Sequence, residues 1–213
     1  MVEKTAITEV FRSVADAETR FGLRRSEAED FFPEWCENLP PLTDAERASL
    51  DLIRRRFIYH RQDGDLTEGT VTLLMGSPLL EMTGFYDYPF KMRGEASIEL
   101  VLNQDEEEIE PLRGRIDILT MQNRFWVVIL ESKRTTISAT TALPQTLAYM
   151  MANPHPQQPI FGMVTNGDDI FFVKLVQTGN PQYAISRTFA PFASSRELCN
   201  AAQVLKNMSR IIG

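Results

Sequence analysis

The hydrophobic pattern is strongest between residues 112 and 133, where it predicts two strands joined by a short turn. Phe125 to Leu130 is an unbroken apolar run rich in β-branched and aromatic residues, which is typical of a central strand covered on both faces. Polar residues interrupt the pattern where Asp117 lies between two isoleucines and where Glu131 and Lys133 end the second strand. Residues two apart in a strand point to the same face, so Glu131 and Lys133 are expected to project together. Charges at such positions are unfavourable, which indicates a function for them.

Capping boxes predict two of the helices around this hairpin. Thr43 and Glu46 have the spacing in which a hydroxyl and a carboxylate each accept from a free backbone N–H, and the helix is expected to run to about Tyr59. Ser194 and Glu197 have the same spacing and predict a C-terminal helix.

The remaining elements follow from periodicity, proline and turn signals. Pro144 is tolerated in a first helical turn and predicts a helix over residues 143–152. A helix is also expected to start within residues 65–68 and to carry Val71, Leu74, Leu79 and Leu80 toward the core despite a Gly-Ser-Pro interruption. The Asn166-Gly167 pair is typical of a hairpin turn. Further strands are predicted at residues 97–102, 160–165, 170–176 and 183–187.

The order of these elements predicts one mixed α/β domain over residues 1–213. Its expected parts are a helical N-terminal arm (1–62), a catalytic core (65–190) and a C-terminal helix (194–213). The chain is 43% hydrophobic and 24% charged, which is ordinary globular composition.

Charge and cysteine content narrow the class of protein. The net charge of −7 disfavours a protein that coats nucleic acid, but an enzyme that engages a few phosphates locally is compatible with it. Two distant cysteines suit a reducing, cytoplasmic location. No signal peptide or transmembrane stretch is expected, and two histidines are too few for a histidine-based zinc site.

Asp117, Glu131 and Lys133 together predict a Mg²⁺ site. Magnesium prefers hard oxygen ligands and keeps several waters, so one or two carboxylates and a substrate phosphate are sufficient. Lys133 beside the ion would orient the attacking water and stabilise developing negative charge. For Asp117 to face Glu131 directly, the hairpin must be centred near Arg124. The alternative is that these three charges only form ion pairs at the sheet edge.

Asp117, thirteen intervening residues and then Glu131-Ser-Lys133 resemble the PD-(D/E)xK, or restriction endonuclease-like, nuclease superfamily. Gln145 to Tyr149 matches the QhxxY helix motif of RecB-type members, with Thr146 at the nominally hydrophobic position. Residues 161–172 are similar to the segment after that helix in R subunits of type I restriction enzymes. The motifs cover residues 97–176, with Ile116 in place of the family's proline, and the chain contains no helicase motifs.

The resemblance implies an αβββαβ core with a mixed sheet flanked by helices, and a DNA nuclease that uses Mg²⁺, with Mn²⁺ able to substitute. It implies Asp117 and Glu131 as metal ligands and Lys133 as a catalytic residue. Gln145 is implied at the catalytic site or on the substrate backbone, and Tyr149 and Arg134 as DNA contacts.

Several alternatives stay open at this stage. Glu68 is a candidate further metal ligand, but its spacing from Asp65 also fits a helix cap, and Glu99 is a weaker substitute. Tyr149 is either a DNA contact or a core residue, and Gln145 either contacts the site or satisfies a loop carbonyl. The run Arg54 to Arg56 and the acidic run of residues 104–110 are read as solvated surface, the first with phosphate contact as its alternative.

Two further expectations concern the molecule as a whole. Cleavage of both DNA strands by one site per chain favours a homodimer. The acidic balance leaves a second function open, a catalytically inactive subunit that keeps the fold and binds nucleic acid or assembles with other chains.

Overall fold

A computed structural model describes residues 5–100, 111–122 and 125–213, with only the backbone described for residues 125–132. The helices are α1 Ile7–Val10, α2 Val14–Phe21, α3 Asp44–Arg61, α4 Glu68–Val71, α5 Ser77–Met82, α6 Leu143–Met151 and α7 Ser195–Ile212. The strands are β1 Arg24–Arg25, β2 Phe90–Leu100, β3 Leu112–Gln122, β4 Phe125–Ser132, β5 Ile160–Thr165, β6 Ile170–Val176 and β7 Gln182–Ile185. The acidic run of residues 104–110 lies outside the described residues.

The strands form one mixed sheet in the order β1-β7-β6-β5-β4-β3-β2. Strands β2, β3 and β4 are antiparallel neighbours, whereas β4 and β5 pair in parallel. Because parallel neighbours need a crossover, α6 carries the chain from β4 back to the start of β5. The order helix, three strands, helix, strand confirms the predicted αβββαβ core.

Helices cover both faces of the sheet, so the core has two apolar layers. One layer lies under α3, α5 and α7 and includes Phe57, Leu79 and Leu205. The other lies under α1, α2 and α6 and includes Ile7 and Leu147. Strands β5 and β6 lie between the two layers and are buried almost throughout, as their continuous apolar sequences predict.

Residues 68–82 are helical throughout, and a π-helical turn at Thr72–Gly76 joins α4 to α5. Proline lacks an N–H and its ring clashes with the carbonyl four residues earlier in an ordinary α-helix. A wider turn just before Pro78 relieves this conflict. The prediction that this helix passes the Gly-Ser-Pro interruption is confirmed, and Leu79 and Leu80 are fully buried.

One predicted strand boundary and one predicted helix cap need correction. Strand β2 begins at Phe90 rather than at the predicted residue 97. No strand signal precedes residue 97 in the sequence, because this half of β2 lies at the sheet edge and carries mostly exposed polar side chains. The helix α7 is capped by Ser194, which accepts from the N–H of Arg196, but the predicted capping box is wrong. The carboxylate of Glu197 instead makes two hydrogen bonds to the Arg187 guanidinium, at 2.6 and 3.2 Å.

The capping box of α3 is confirmed. The Glu46 carboxylate accepts from the Thr43 N–H at 2.6 Å, and the Thr43 hydroxyl accepts from the Glu46 N–H at 3.2 Å. Within the part of the chain that the structure describes, no helix is both long and apolar enough to cross a membrane.

Candidate functional site

A β-bulge sets the register of the hairpin that carries the predicted site. Near the turn Gln122 pairs with Phe125, and the register shifts by one residue between Thr120 and Met121. A bulge adds one residue to one strand and displaces every later pair. Without the bulge the tight turn would leave the two predicted carboxylates diagonally offset.

The last described pair between β3 and β4 is Ile118 with Leu130, so Asp117 and Glu131 are the next residues on the two strands. The backbone therefore has the register that the sequence analysis requires, centred near Arg124. Beyond this point β4 continues beside β5, where Glu131 pairs with Val164.

The regular alternation of β3 is interrupted at Asp117. Ile116 lies in the apolar layer under α6, whereas Ile118 lies in the layer under α3. In an uninterrupted strand, residues two apart would share one face. On the neighbouring strand Glu95 has a φ of 49°, a conformation that non-glycine residues rarely adopt. This local distortion places a half-buried carboxylate at the point where β3 and β4 stop pairing.

Lys133 extends the pairing of β4 with β5, since its N–H donates to the Thr165 carbonyl at 2.8 Å. Its side chain is 15% exposed, and its ammonium lies 3.8 Å from the Glu68 carboxylate. The same ammonium donates to Gln145 Oε1 at 3.2 Å. Two side chains from different helices therefore hold the Lys133 ammonium in the site.

Gln145 and Tyr149 form the next contact in this network. They lie one helical turn apart on α6, and Gln145 Nε2 donates to the Tyr149 hydroxyl at 2.5 Å. The Tyr149 ring is 2% exposed, so it is a core residue, as one of the two alternatives predicts. Among the described contacts, Gln145 makes no hydrogen bond to a loop carbonyl. Its amide oxygen instead accepts from the Lys133 ammonium.

The first residue of α4 is Glu68, and the preceding Thr67 is the residue that caps this helix. The Thr67 hydroxyl accepts from the Thr70 N–H. The capping box of Glu68 with Asp65 is therefore not formed, and the Glu68 carboxylate lies near Lys133 instead. The position is compatible with a further metal ligand.

One cleft of about 460 Å³ is lined by five of the residues that the sequence singles out, namely Glu68, Asp117, Lys133, Gln145 and Tyr149. They come from β3, α6, the start of α4 and the end of β4. The side chain of Glu131 lies outside the described residues.

Other sequence candidates lie apart from this cleft in the structure. Arg134 is exposed and is not part of the cleft lining. Glu99 forms an ion pair with Arg113. Arg54 donates to the carbonyls of Pro191 and Phe192, so it has a structural role in joining α3 to a loop.

Half of the cleft lining was not predicted from the sequence, namely Ala6, Thr8, Arg113, Gly114 and Arg115. Residues 5–6 occupy the edge of β3 that β4 leaves: Ala6 forms a parallel bridge with Arg113, whose N–H donates to the Thr5 carbonyl at 3.2 Å. Periodicity reports which face of a segment is buried but not which distant strand it pairs with, so no sequence signal indicated this contact.

The donor set of the cleft is chemically suited to a hard divalent cation. Among the described residues of the cleft lining Asp117 and Glu68 supply carboxylates, and Mg²⁺ needs only one or two carboxylates because it keeps several waters. The described residues contain no group of three or more His, Cys, Asp or Glu side chains placed to hold a metal. The donor set fits Mg²⁺ better than Zn²⁺, which prefers closed sets of nitrogen and sulfur ligands.

Among known proteins, only the solved structures give a likeness to this chain, and it is a distant one. No family model and no curated protein matches the chain. Among solved structures, a fragment of a putative HsdR subunit of a type I restriction enzyme from Vibrio vulnificus YJ016 is similar with a TM-score of 0.40 and 17% identity. The match covers 63% of this chain and 26% of that chain.

The fold assignment therefore rests on the topology of the chain itself. Its αβββαβ order, mixed sheet and flanking helices are those of a restriction-endonuclease-like fold. Fold alone does not determine activity, which depends on the chemical groups in the cleft.

Proposed function

We propose that this protein is a Mg²⁺-dependent nuclease of the PD-(D/E)xK type that hydrolyses phosphodiester bonds in DNA. One observation carries the proposal: Glu68, Asp117 and Lys133 come from three separate segments and line one cleft together with Gln145. Acidic and basic groups that converge in a cleft are typical of an active site. An incidental ion pair at the sheet edge would not need the Gln145 contact.

Asp117 and Glu131 would hold the metal ion in this proposal, with Glu68 as a further ligand. When bound, Mg²⁺ supplies charge stabilisation on the phosphate oxygens and lowers the pKa of a water molecule. Mn²⁺ would substitute because it accepts the same oxygen ligands.

Lys133 is the catalytic cation in the proposal. Its ammonium is mostly buried and fixed by Gln145, so it needs little reorganisation when negative charge develops on the scissile phosphate. Gln145 also lines the cleft, and in the proposal it would contact the substrate backbone there. Tyr149 acts as a positioning residue through its hydroxyl, since its ring is buried.

The test compares wild type with Asp117→Asn and Lys133→Met on plasmid and single-stranded DNA, with Mg²⁺, Mn²⁺ or EDTA. We expect cleavage only with a divalent cation, and a loss of about 100-fold or more in each variant, as for other groups that stabilise transition-state charge. Arg25→Gln, a charge change at the opposite edge of the sheet, is the matched control. Equal cleavage by wild type and Asp117→Asn would overturn the proposal.

The alternative function is a catalytically inactive member that binds nucleic acid or assembles with other chains. The acidic balance of the chain favours it. Calorimetry with Mg²⁺ in the presence of DNA separates the two: a site that is lost in Glu131→Ala supports the nuclease, and no metal binding supports the alternative.

A further inference from the structure

Two arginines of β3 line the cleft, and the proposed chemistry does not use them. Arg113 and Arg115 precede Asp117 by four and two residues on the same strand. Their side chains are 49% and 64% exposed, so both guanidinium groups are accessible from solvent. With Lys133 they give the described lining three cationic side chains against two carboxylates, in a chain whose net charge is −7.

Each arginine is paired with a carboxylate from the neighbouring strand β2. Arg113 lies 2.7 Å from Glu99, and Arg115 lies 3.5 Å from Glu95. Exposed ion pairs of this kind contribute little to stability because solvent screens them and both side chains lose freedom. Each of these ion pairs engages one nitrogen of a guanidinium group that has five N–H donors, so a phosphate can compete for these groups.

The distance along β3 from Arg113 to Asp117 indicates that more than one phosphate can be bound. Alternate residues of a strand are about 6.6 Å apart, so the path from Arg113 to Asp117 covers about 13 Å. Successive phosphates of one strand rise by about 3.4 Å along the axis of a duplex and lie farther apart on an extended single strand, so a path of about 13 Å is long enough for more than one phosphate.

We propose that Arg113 and Arg115 bind phosphates of the substrate strand on one side of the scissile phosphate. The substrate strand then extends along β3 from the proposed metal site. The position of the scissile phosphate near Asp117 rests on the proposed function, whereas phosphate binding by the two arginines does not.

The test measures binding of a fluorescently labelled single-stranded oligonucleotide by anisotropy, in EDTA to prevent cleavage, over a series of salt concentrations. Arg113→Gln and Arg115→Gln are each expected to weaken binding about threefold to tenfold, as loss of an exposed charge-assisted contact does. Each should also reduce the slope of log affinity against log salt by about 0.7, the value for one phosphate contact on a single strand.

Matched variants separate phosphate binding from a structural role. Arg25→Gln removes an arginine of similar exposure, also paired with a glutamate, from β1 at the far edge of the sheet, and should leave both affinity and slope unchanged. Arg115→Lys retains the charge and should recover most of the affinity. Glu95→Gln and Glu99→Gln should bind the oligonucleotide more tightly than wild type, because they release the guanidinium groups. Wild-type affinity and slope in both arginine variants would overturn the proposal.

Cleavage kinetics distinguish failure of this inference from failure of the proposed function. If both hold, the double variant Arg113→Gln/Arg115→Gln raises KM more than it lowers kcat, whereas Asp117→Asn lowers kcat. Cleavage by Asp117→Asn at the wild-type rate would remove the nuclease assignment but leave the binding measurements to decide on the arginines. If the arginine variants bind normally and Asp117→Asn is inactive, only the proposal that Arg113 and Arg115 bind phosphates is rejected.

Discussion

Gly114 allows α6 to approach β3 closely enough for Tyr149 to support the site. A Cβ atom at Gly114 would lie 2.5 Å from Tyr149 Cε1, 3.1 Å from its hydroxyl and 2.9 Å from Ile7 Cδ1. Real side-chain contacts are not this short, so any larger residue must displace the ring. The ring carries the hydroxyl that orients Gln145, which in turn holds the Lys133 ammonium.

Gly114→Ala is therefore expected to lower both the stability of the fold and the proposed DNA cleavage. Overpacking of this kind costs about 1–3 kcal/mol in the free energy of unfolding, which urea denaturation measures. Cleavage should fall because the Tyr149 hydroxyl no longer fixes Gln145. Gly94→Ala on β2 is the control, since its Cβ would meet only the Asp117 carbonyl, at an ordinary 4.0 Å. Equal losses in the two variants would contradict this account.

Helix α3 is tied to α7 through a residue that also serves its N-terminal cap. Glu46 accepts from the Thr43 N–H, and its other carboxylate oxygen lies 2.6 Å from the Lys206 ammonium. The Lys206 hydrogen bond, followed by the Thr43 contacts, holds the pKa of Glu46 below its usual value of 4.5. A single carboxylate thus links the start of one helix to the body of another.

This lowered pKa makes the contact between α3 and α7 sensitive to acid. Because the folded-state pKa is below the unfolded one, the stabilisation is complete above about pH 4.5 and is lost as the pH falls through the folded value. We expect Glu46→Gln to be less stable than wild type at neutral pH, with a difference that shrinks below pH 4.5. Urea denaturation over a pH series measures it, with the exposed Glu29→Gln as control. A difference that stays constant into acid would contradict the assignment.

On the scale of the whole molecule, a buried ion pair joins the segment before α3 to the middle of the sheet. Lys174 on β6 is 9% exposed, and its ammonium lies 2.6 Å from Glu34 in the turn Pro33–Trp35. The rings of Phe31 and Phe161 lie 5.7 and 5.9 Å from the same ammonium. The N-terminal residues are thus anchored to the sheet that carries the site.

Breaking this pair by removing one partner should be costly, because the other charge is left buried. Lys174→Met is expected to lower the free energy of unfolding by about 3–5 kcal/mol. The double variant Lys174→Met/Glu34→Leu should recover most of that loss, since no buried charge remains. Chemical denaturation of the three proteins gives the comparison. A double variant no more stable than the single one would indicate that the geometry of the pair, rather than its charge, holds the segment.

Local sequence signals predicted much of the fold correctly. The bounds of β5 and β6 match the predicted strands, and the Pro144 signal marks the start of α6. The predictions are weakest at the sheet edge, where the first half of β2 lacks an apolar pattern because one strand edge faces solvent. The predicted capping box of α7 failed for a different reason. Arg187 binds the Glu197 carboxylate that the sequence spacing assigned to the cap.

By itself the sequence determined that Asp117 and Lys133 are charges out of place in an apolar pattern, and the family resemblance added Gln145 as a candidate. Only the tertiary structure decided which other segments surround these residues. These are the bulge in the hairpin register, the residues 5–8 that return to β3, and the arginines that line the same cleft. The physical reason is that burial and turn preferences are properties of neighbouring residues in the chain, whereas strand pairing and charge contacts depend on segments far apart in sequence.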